Sequence, residues 1–298
     1  MNMDSTTPFP GWFDVPAMIE RSSPRARSNW WRWVVASALI GLMVAMLSGG
    51  SNATADLMIR LFTGVVLVVL MVIGGGVVVA LNRAAAAERD QVEQVERAVT
   101  LRQWSVAAAI LHQLLLRPML SHRARVEALI YLSNVLGRYH KFAEAIEVQT
   151  YLLQTVEMDG MTSFGLRASR AMAMLREDHL LDADRALSEM KRMPGAAETG
   201  LFALASIFRD VKTGHHDEAI EQFEKHRDVI ARQLGHRSAD AHLLVALSYR
   251  ARGMTDQAAV HFRNATLLAP SIELRRRYPE SAVLFESFSA APAPPEAS

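Results

Sequence analysis

The sequence predicts an all-α chain: a transmembrane helical hairpin followed by an α-solenoid of about five helix pairs. Three observations predict it. Alanines recur at Ala107, Ala145, Ala183, Ala219 and Ala258, separated by 38, 38, 36 and 39 residues, and self-similarity at such a period marks stacked repeat units. Two stretches near the N-terminus, 33–55 and 61–81, carry no charged residue; the second is as long as the ~20 residues a membrane helix needs. Half of the chain, 50%, is hydrophobic, high for a wholly soluble protein.

Residues 1–29 come first. They hold Pro8, Pro10, Pro16 and Pro24 among polar residues. No helical or strand period survives that, so a disordered cytoplasmic leader is expected. Trp30, Trp31 and Trp33 follow Arg21, Arg25 and Arg27, as tryptophans do at a membrane interface.

The anchor is expected over 30–82, with spans at about 31–51 and 60–82. The apolar part of the first, Val34 to Leu47, is completed by Trp33 and a Ser-Gly run; the connection, 49–56, is short and polar. Arg21, Arg25, Arg27 and Arg32 precede the first span, Arg83 and Arg89 follow the second, and the connection holds no arginine. Arg60 at the edge snorkels outward. The positive-inside rule then places both termini in the cytoplasm, giving a two-pass protein of the inner membrane. Ala53-Thr54-Ala55 would suit a cleaved signal, but the long proline-containing leader argues against one. Gly74-Gly75-Gly76 lies within the apolar stretch and reads as a site of close helix packing, not as a phosphate loop. No glycine or proline occurs from Val77 to Trp104, and the residues there are good helix formers. The second span is therefore expected to run unbroken into the first helix pair.

The repeat domain is expected over 83–270. Each phased alanine except Ala145 is followed four residues later by a large apolar side chain: Leu111, Leu187, Phe223 and Phe262; Gln149 takes that place after Ala145. A small residue lets two antiparallel helices approach, and a large one a turn later fills the adjoining gap. Pro118, Pro194 and Pro270 stop the second helix of three units. These units resemble tetratricopeptide (TPR) repeats. The fifth shows Ala246, Tyr249, Ala258, Phe262, Ala265 and Pro270; the second shows Leu129, Leu132, Ser133, Leu136, Phe142 and Ala145. Departures exist. The first unit, from about Glu88, and the third, from about Phe164, have degenerate first helices. Arg167 and Arg170 stand where the pattern wants apolar residues, and the spacing exceeds the family's period of about 34 residues. An irregular helical bundle is the other reading, and five phased alanines weigh against it.

Residues 271–298 close the chain. SIELRRRYPE is expected to form a short helix capping the last apolar face, with Arg275, Arg276 and Arg277 solvated; the Pro/Ala-rich end reads as a disordered tail.

No catalytic role is expected. No HExxH, GxSxG or Walker motif is present, and no nucleophile, base and orienting group are brought together by spacing. The net charge of +1 lacks the basic footprint of a nucleic-acid binder. The absence of cysteine removes disulfides and thiolate metal sites. His140, His179 and the His215-His216 pair fall near the turns within successive units. Stacked units ~10 Å apart would keep most of them from sharing one ion. No metal or cofactor is expected.

The TPR resemblance implies a partner-binding groove lined by the first helix of each pair. Mapped onto this chain, its positions are Asn134 and Arg138, Met172 and Arg176, Phe208 and Lys212, then Leu247 and Arg250. Arg138, Arg176, Lys212 and Arg250 would form a basic ladder beside a more apolar row, suited to an acidic or C-terminal carboxylate peptide. A cation at a helix C-terminus is also favoured by the helix dipole alone. The resulting expectation is a scaffold or adaptor that gathers protein partners at the cytoplasmic face of a bacterial membrane. The order of parts also resembles HemY-type membrane proteins, linked to haem biosynthesis or envelope assembly. A hydrolase using the His215-His216 turn is a third, weaker expectation.

Overall fold

One three-residue turn, repeated five times, sets the architecture. The computed structural model describes residues 13–24, 40–41, 43 and 53–288. The helices are α1 (Val15–Arg21), α2 (Ala53–Thr100), α3 (Trp104–Leu115), α4 (His122–Arg138), α5 (Phe142–Thr155), α6 (Gly160–Arg176), α7 (Leu180–Lys191), α8 (Gly200–Lys212), α9 (His216–Leu234), α10 (Ser238–Ala251), α11 (Thr255–Leu268), α12 (Ser271–Arg277) and α13 (Ala282–Phe288). Short 3₁₀ turns occupy Ala196–Glu198, Gly235–Arg237 and Pro279–Ser281, and no strand occurs among the described residues.

The pairs α2/α3, α4/α5, α6/α7, α8/α9 and α10/α11 are each joined by three residues. The middle residue is left-handed every time: Arg102 (φ 58°), His140 (59°), Asp178 (57°), Gly214 (77°) and Gly253 (76°). The next residue donates its N–H to a carbonyl five residues back. These bonds are Gln103 to Ala98 (2.8 Å), Lys141 to Leu136 (2.9 Å), His179 to Met174 (2.9 Å), His215 to Asp210 (2.8 Å) and Met254 to Tyr249 (2.9 Å). This is the Schellman closure, which satisfies carbonyls left open at a helix end. The same residue then accepts the N–H of the phased alanine four places on, as from Ala107 to Gln103 (3.0 Å) and from Ala258 to Met254 (3.0 Å). Each alanine is therefore the fourth residue of its second helix, and all five are buried. The period read from the sequence is the period of this turn.

The chain divides into two compact units, Met1–Val135 and Leu136–Ser298. In the first, α2 is a single helix of 48 residues, ~70 Å at 1.5 Å per residue. It runs unbroken through the stretch lacking glycine and proline, ending at Thr100. Its last four turns are amphipathic: Glu88, Val92, Val95 and Ala98 are buried, at the spacing of one helix face, and α3 packs on this part of the unit. The buried Glu88 carboxylate accepts the N–H groups of Leu120 (2.9 Å) and Ser121 (2.9 Å). It thereby holds the turn that starts α4, where the Ser121 hydroxyl accepts from Ala124 N–H (3.3 Å).

Within the leader 1–29, expected to be mostly disordered, residues 13–24 hold a short helix. Asp14 caps α1 by accepting the Ala17 N–H (3.1 Å), Pro16 sits in its first turn, and Val15, Met18 and Ser22 are buried. Arg125 of α4, itself buried, donates to Ser22 Oγ (3.1 Å), Ser23 Oγ (3.2 Å) and the Ile19 carbonyl (2.9 Å). A buried guanidinium needs several acceptors, and the end of α1 with the two serines that follow it supplies them. The rest of the leader lies outside the described residues.

Among the described residues no helix is long and apolar enough to cross a membrane. The first expected span, about 31–51, lies almost wholly outside them. In the second, about 60–82, the side chains of 60–63, 66–67, 70–71 and 73 do too. The described valines of this stretch, Val65, Val68, Val69, Val72, Val77, Val78 and Val79, are all exposed.

In the second unit the helices step along one direction. The first helices touch in succession, α6 on α8 and α8 on α10. Second helices pack on the next first helix, α5 on α6, α7 on α8 and α9 on α10, and α7, α9 and α11 pack on their own partners α6, α8 and α10. One continuous apolar cluster runs through these pairs, from Ala168 to Phe285. In the degenerate third pair, Arg167 forms an ion pair with Glu189 (3.1 Å) and α6 begins earlier than expected, at Gly160, capped by Asp159 accepting from Met161 and Thr162 N–H (3.0 and 2.9 Å).

Candidate functional site

The shared turn gives the expected groove residues a common frame. Asn134, Met172, Phe208 and Leu247 each stand six residues before the left-handed residue of their pair; Arg138, Arg176 and Lys212 each stand two before it. Arg250 stands three before Gly253, so it is one residue out of register with the other cations; Ala251 occupies the equivalent place. Asn134 belongs to the first unit and is exposed. The apolar row is not an open surface: Met172, Phe208 and Leu247 are 5%, 1% and 9% exposed.

What lies against Phe208 is the segment after the last pair. Tyr278 is fully buried, with its ring edge-on to Phe208 at 5.2 Å between centroids. The Arg176 guanidinium stands over three rings, Phe142 (5.1 Å), Tyr278 (5.5 Å) and Phe208 (6.0 Å), an arrangement favoured by the negative faces of aromatic rings. It also donates to Tyr278 Oη at 3.5 Å. Arg138 pairs with Glu273 (3.0 Å). Arg277 pairs with the buried Asp240 of α10 (2.7 Å). Lys212 pairs with Asp178 (2.7 Å) and lies 5.8 Å from the Phe208 ring centroid. Arg250 donates to Ser287 Oγ. Burial, reinforced by the Asp240 carboxylate, pushes the Tyr278 hydroxyl pKa up, so it stays neutral.

His140, the left-handed residue of the second turn, sits in the same electrostatic field. Burial pushes its pKa down to about 4, with further lowering by Arg276, Arg176, Arg138 and Arg277. The imidazole is thus neutral near pH 7, and its edge contacts Phe142 at 5.4 Å.

The remaining histidines of the expected row have hydroxyl partners or solvent. His215 Nδ1 lies 2.7 Å from Thr213 Oγ1, His216 Nδ1 lies 3.4 Å from Ser248 Oγ, and His179 is exposed. Among the described residues no group of three or more histidines and carboxylates is placed to hold a metal ion. A different pair went unforeseen: His242 of α10 and His261 of α11, with Nδ1 atoms 3.0 Å apart. Tyr249 stacks on His261 (5.2 Å, 18°) and Phe223 touches both imidazoles (5.1 Å each). Burial, then His261 and Arg227, pushes His242 down to about 4, and burial lowers His261 too.

Glu273, Tyr278, Arg277 and Asp240 are the site residues that sequence reasoning missed. The one local signal is Tyr278, an aromatic between three arginines and Pro279, where a merely solvated end needs none. The site is a strip of cations and aromatic faces suited to a carboxylate and an aromatic ring.

Comparison with family models, with curated proteins and with solved structures returned no match for this chain.

Proposed function

We propose that the chain is a TPR-type α-solenoid, anchored by a helical hairpin at about 31–51 and 60–82, that binds protein partners at the cytoplasmic face of a bacterial membrane. The observation that carries the reading is the strip formed by Arg138, Arg176 and Lys212 beside Phe208. Three cations sit in one register on successive first helices, and the acceptors they hold are carboxylates and a phenol, the chemistry of an acidic peptide. The anchor is supported by Val65, Val68, Val69, Val72, Val77, Val78 and Val79, which leave a helix apolar yet exposed. Such a surface needs a non-aqueous or protein covering.

The test is crosslinking of the full-length protein in native membranes, followed by identification of co-purified proteins. The protein should fractionate with membranes, and its captured partners should be lost in Arg138→Glu/Arg176→Glu. Recovery in the aqueous fraction after lysis removes the anchor; capture indifferent to the double substitution removes the strip as the binding surface.

A further inference from the structure

A cap for a helix-pair stack has only one surface to cover, the exposed face of the last pair. Part of the C-terminal segment does this: Phe285 and Phe288 of α13 pack on Phe262 of α11 at 4.9 and 5.5 Å. Residues 271–281 do something else. Glu273 reaches Arg138 at the end of the second pair's first helix. Tyr278 reaches Arg176 and Phe208 in the third and fourth pairs. Arg277 reaches Asp240 at the start of the fifth. This stretch lies along the strip, taking up Arg138 with one carboxylate and Arg176 with one phenol, while Lys212 is held by Asp178.

Its grip is divided. Glu273 and Arg138 are each about a quarter exposed at 26% and 27%, and an ion pair open to water holds weakly. The Arg176 bond to Tyr278, at 3.5 Å, is at the outer limit of a hydrogen bond. Helix α12 has seven residues, too few to persist without a surface to lie on. Leu274, the Tyr278 ring and Ser281 are the deeply set parts of the segment.

We infer that residues 271–281 are a resident competitor on this face, and that the face takes in trans a peptide with the same chemistry: a carboxylate five residues before an aromatic hydroxyl, as Glu273 stands before Tyr278. Binding of such a peptide requires the chain's own segment to leave, so access is set by how firmly the segment is held. This rests on the reading of the strip as a peptide-binding surface.

The probe is a fluorescein-labelled synthetic peptide of this chain's residues 271–281, titrated by anisotropy into the full-length protein. Glu273→Ala/Tyr278→Ala weakens the resident segment and should bind the probe at least tenfold more tightly than wild type. Adding Arg138→Glu/Arg176→Glu should abolish the gain. Because Tyr278 is buried, Glu273→Ala alone is the second variant, with a smaller gain in the same direction and an unchanged circular dichroism spectrum. The chain has no cysteine, so Arg138→Cys/Glu273→Cys joined by a bismaleimide gives a locked form, which should bind the probe more weakly than the same variant left unlinked. No gain in either weakened variant, or binding undiminished by the lock, overturns the inference and makes the segment a permanent cap. Probe binding without any partner captured in membranes leaves this inference standing and fails the scaffold reading. Partner capture that depends on Arg138 and Arg176, without probe binding, does the reverse.

Discussion

Arg138 Nη2 donates to Glu273 Oε1 at 3.0 Å across 135 residues of chain, joining the first helix of the second pair to the segment that follows the fifth. Arg277 adds a longer contact to the same carboxylate, 3.9 Å. Glu273→Gln keeps the shape and removes the charge. The expected loss is ~1 kcal/mol or less, because the pair is partly solvated, and it should shrink as salt rises. Urea denaturation at low and high ionic strength checks both.

Left-handed residues at the five turns carry opposite costs. Arg102, His140 and Asp178 have a Cβ in a conformation that disfavours one, whereas Gly214 and Gly253 do not. Arg102→Gly should raise stability by ~0.5–1 kcal/mol, the relief of strain being partly offset by the freer unfolded chain. Gly253→Ala should lower it by ~1 kcal/mol. Thermal unfolding of the two variants should move in opposite directions.

Arg125 is the tie between α4 and α1. Arg125→Ala leaves Ser22 Oγ, Ser23 Oγ and the Ile19 carbonyl without that donor, at a cost of ~1–3 kcal/mol for charge-assisted bonds. The loss should be local. Amide exchange should accelerate over 15–22 and remain slow in α10. Uniform acceleration would mean that α1 is not a separable element.

His140 and His242 set an acid limit. Both have folded pKa values lowered to about 4 from 6.5, so between those values the unfolded chain binds more protons. Stability is therefore full above about pH 6.5 and falls as pH drops from there toward about 4. For His242 the cause is burial, then the neighbouring His261 and Arg227, with Glu224 opposing. His242→Phe should flatten part of the pH dependence of the urea midpoint between about pH 7 and pH 4.5. An unaltered slope would mean that His242 charges freely in the folded state.

The helix pairs were legible in the sequence because their code is local. An alanine at the fourth position of a second helix, a tight turn before it and a large apolar residue one turn later all lie within a dozen residues. The phase of Ala107, Ala145, Ala183, Ala219 and Ala258 matches the phase of the five turns. Position 250 slipped by one residue because Arg250 and Ala251 both fit a helix end by composition. Only the left-handed Gly253 sets the register. The short α1 was hidden by its four neighbouring prolines, one of which, Pro16, belongs inside the first turn of a helix, where a missing N–H costs nothing.

By itself, then, the sequence determined that the chain is helical, where each pair turns and which alanines lie at the crossings. Propensity, turn closure and small-residue contact act over a few residues and leave a periodic trace. Tertiary structure alone decided what lies on the cationic strip. The attraction between Arg138 and Glu273, or between Arg176 and the Tyr278 ring, depends on distance in space and is indifferent to the 135 and 102 residues between them. Charges and rings at that separation leave no period to read, and only the folded stack brings them within reach.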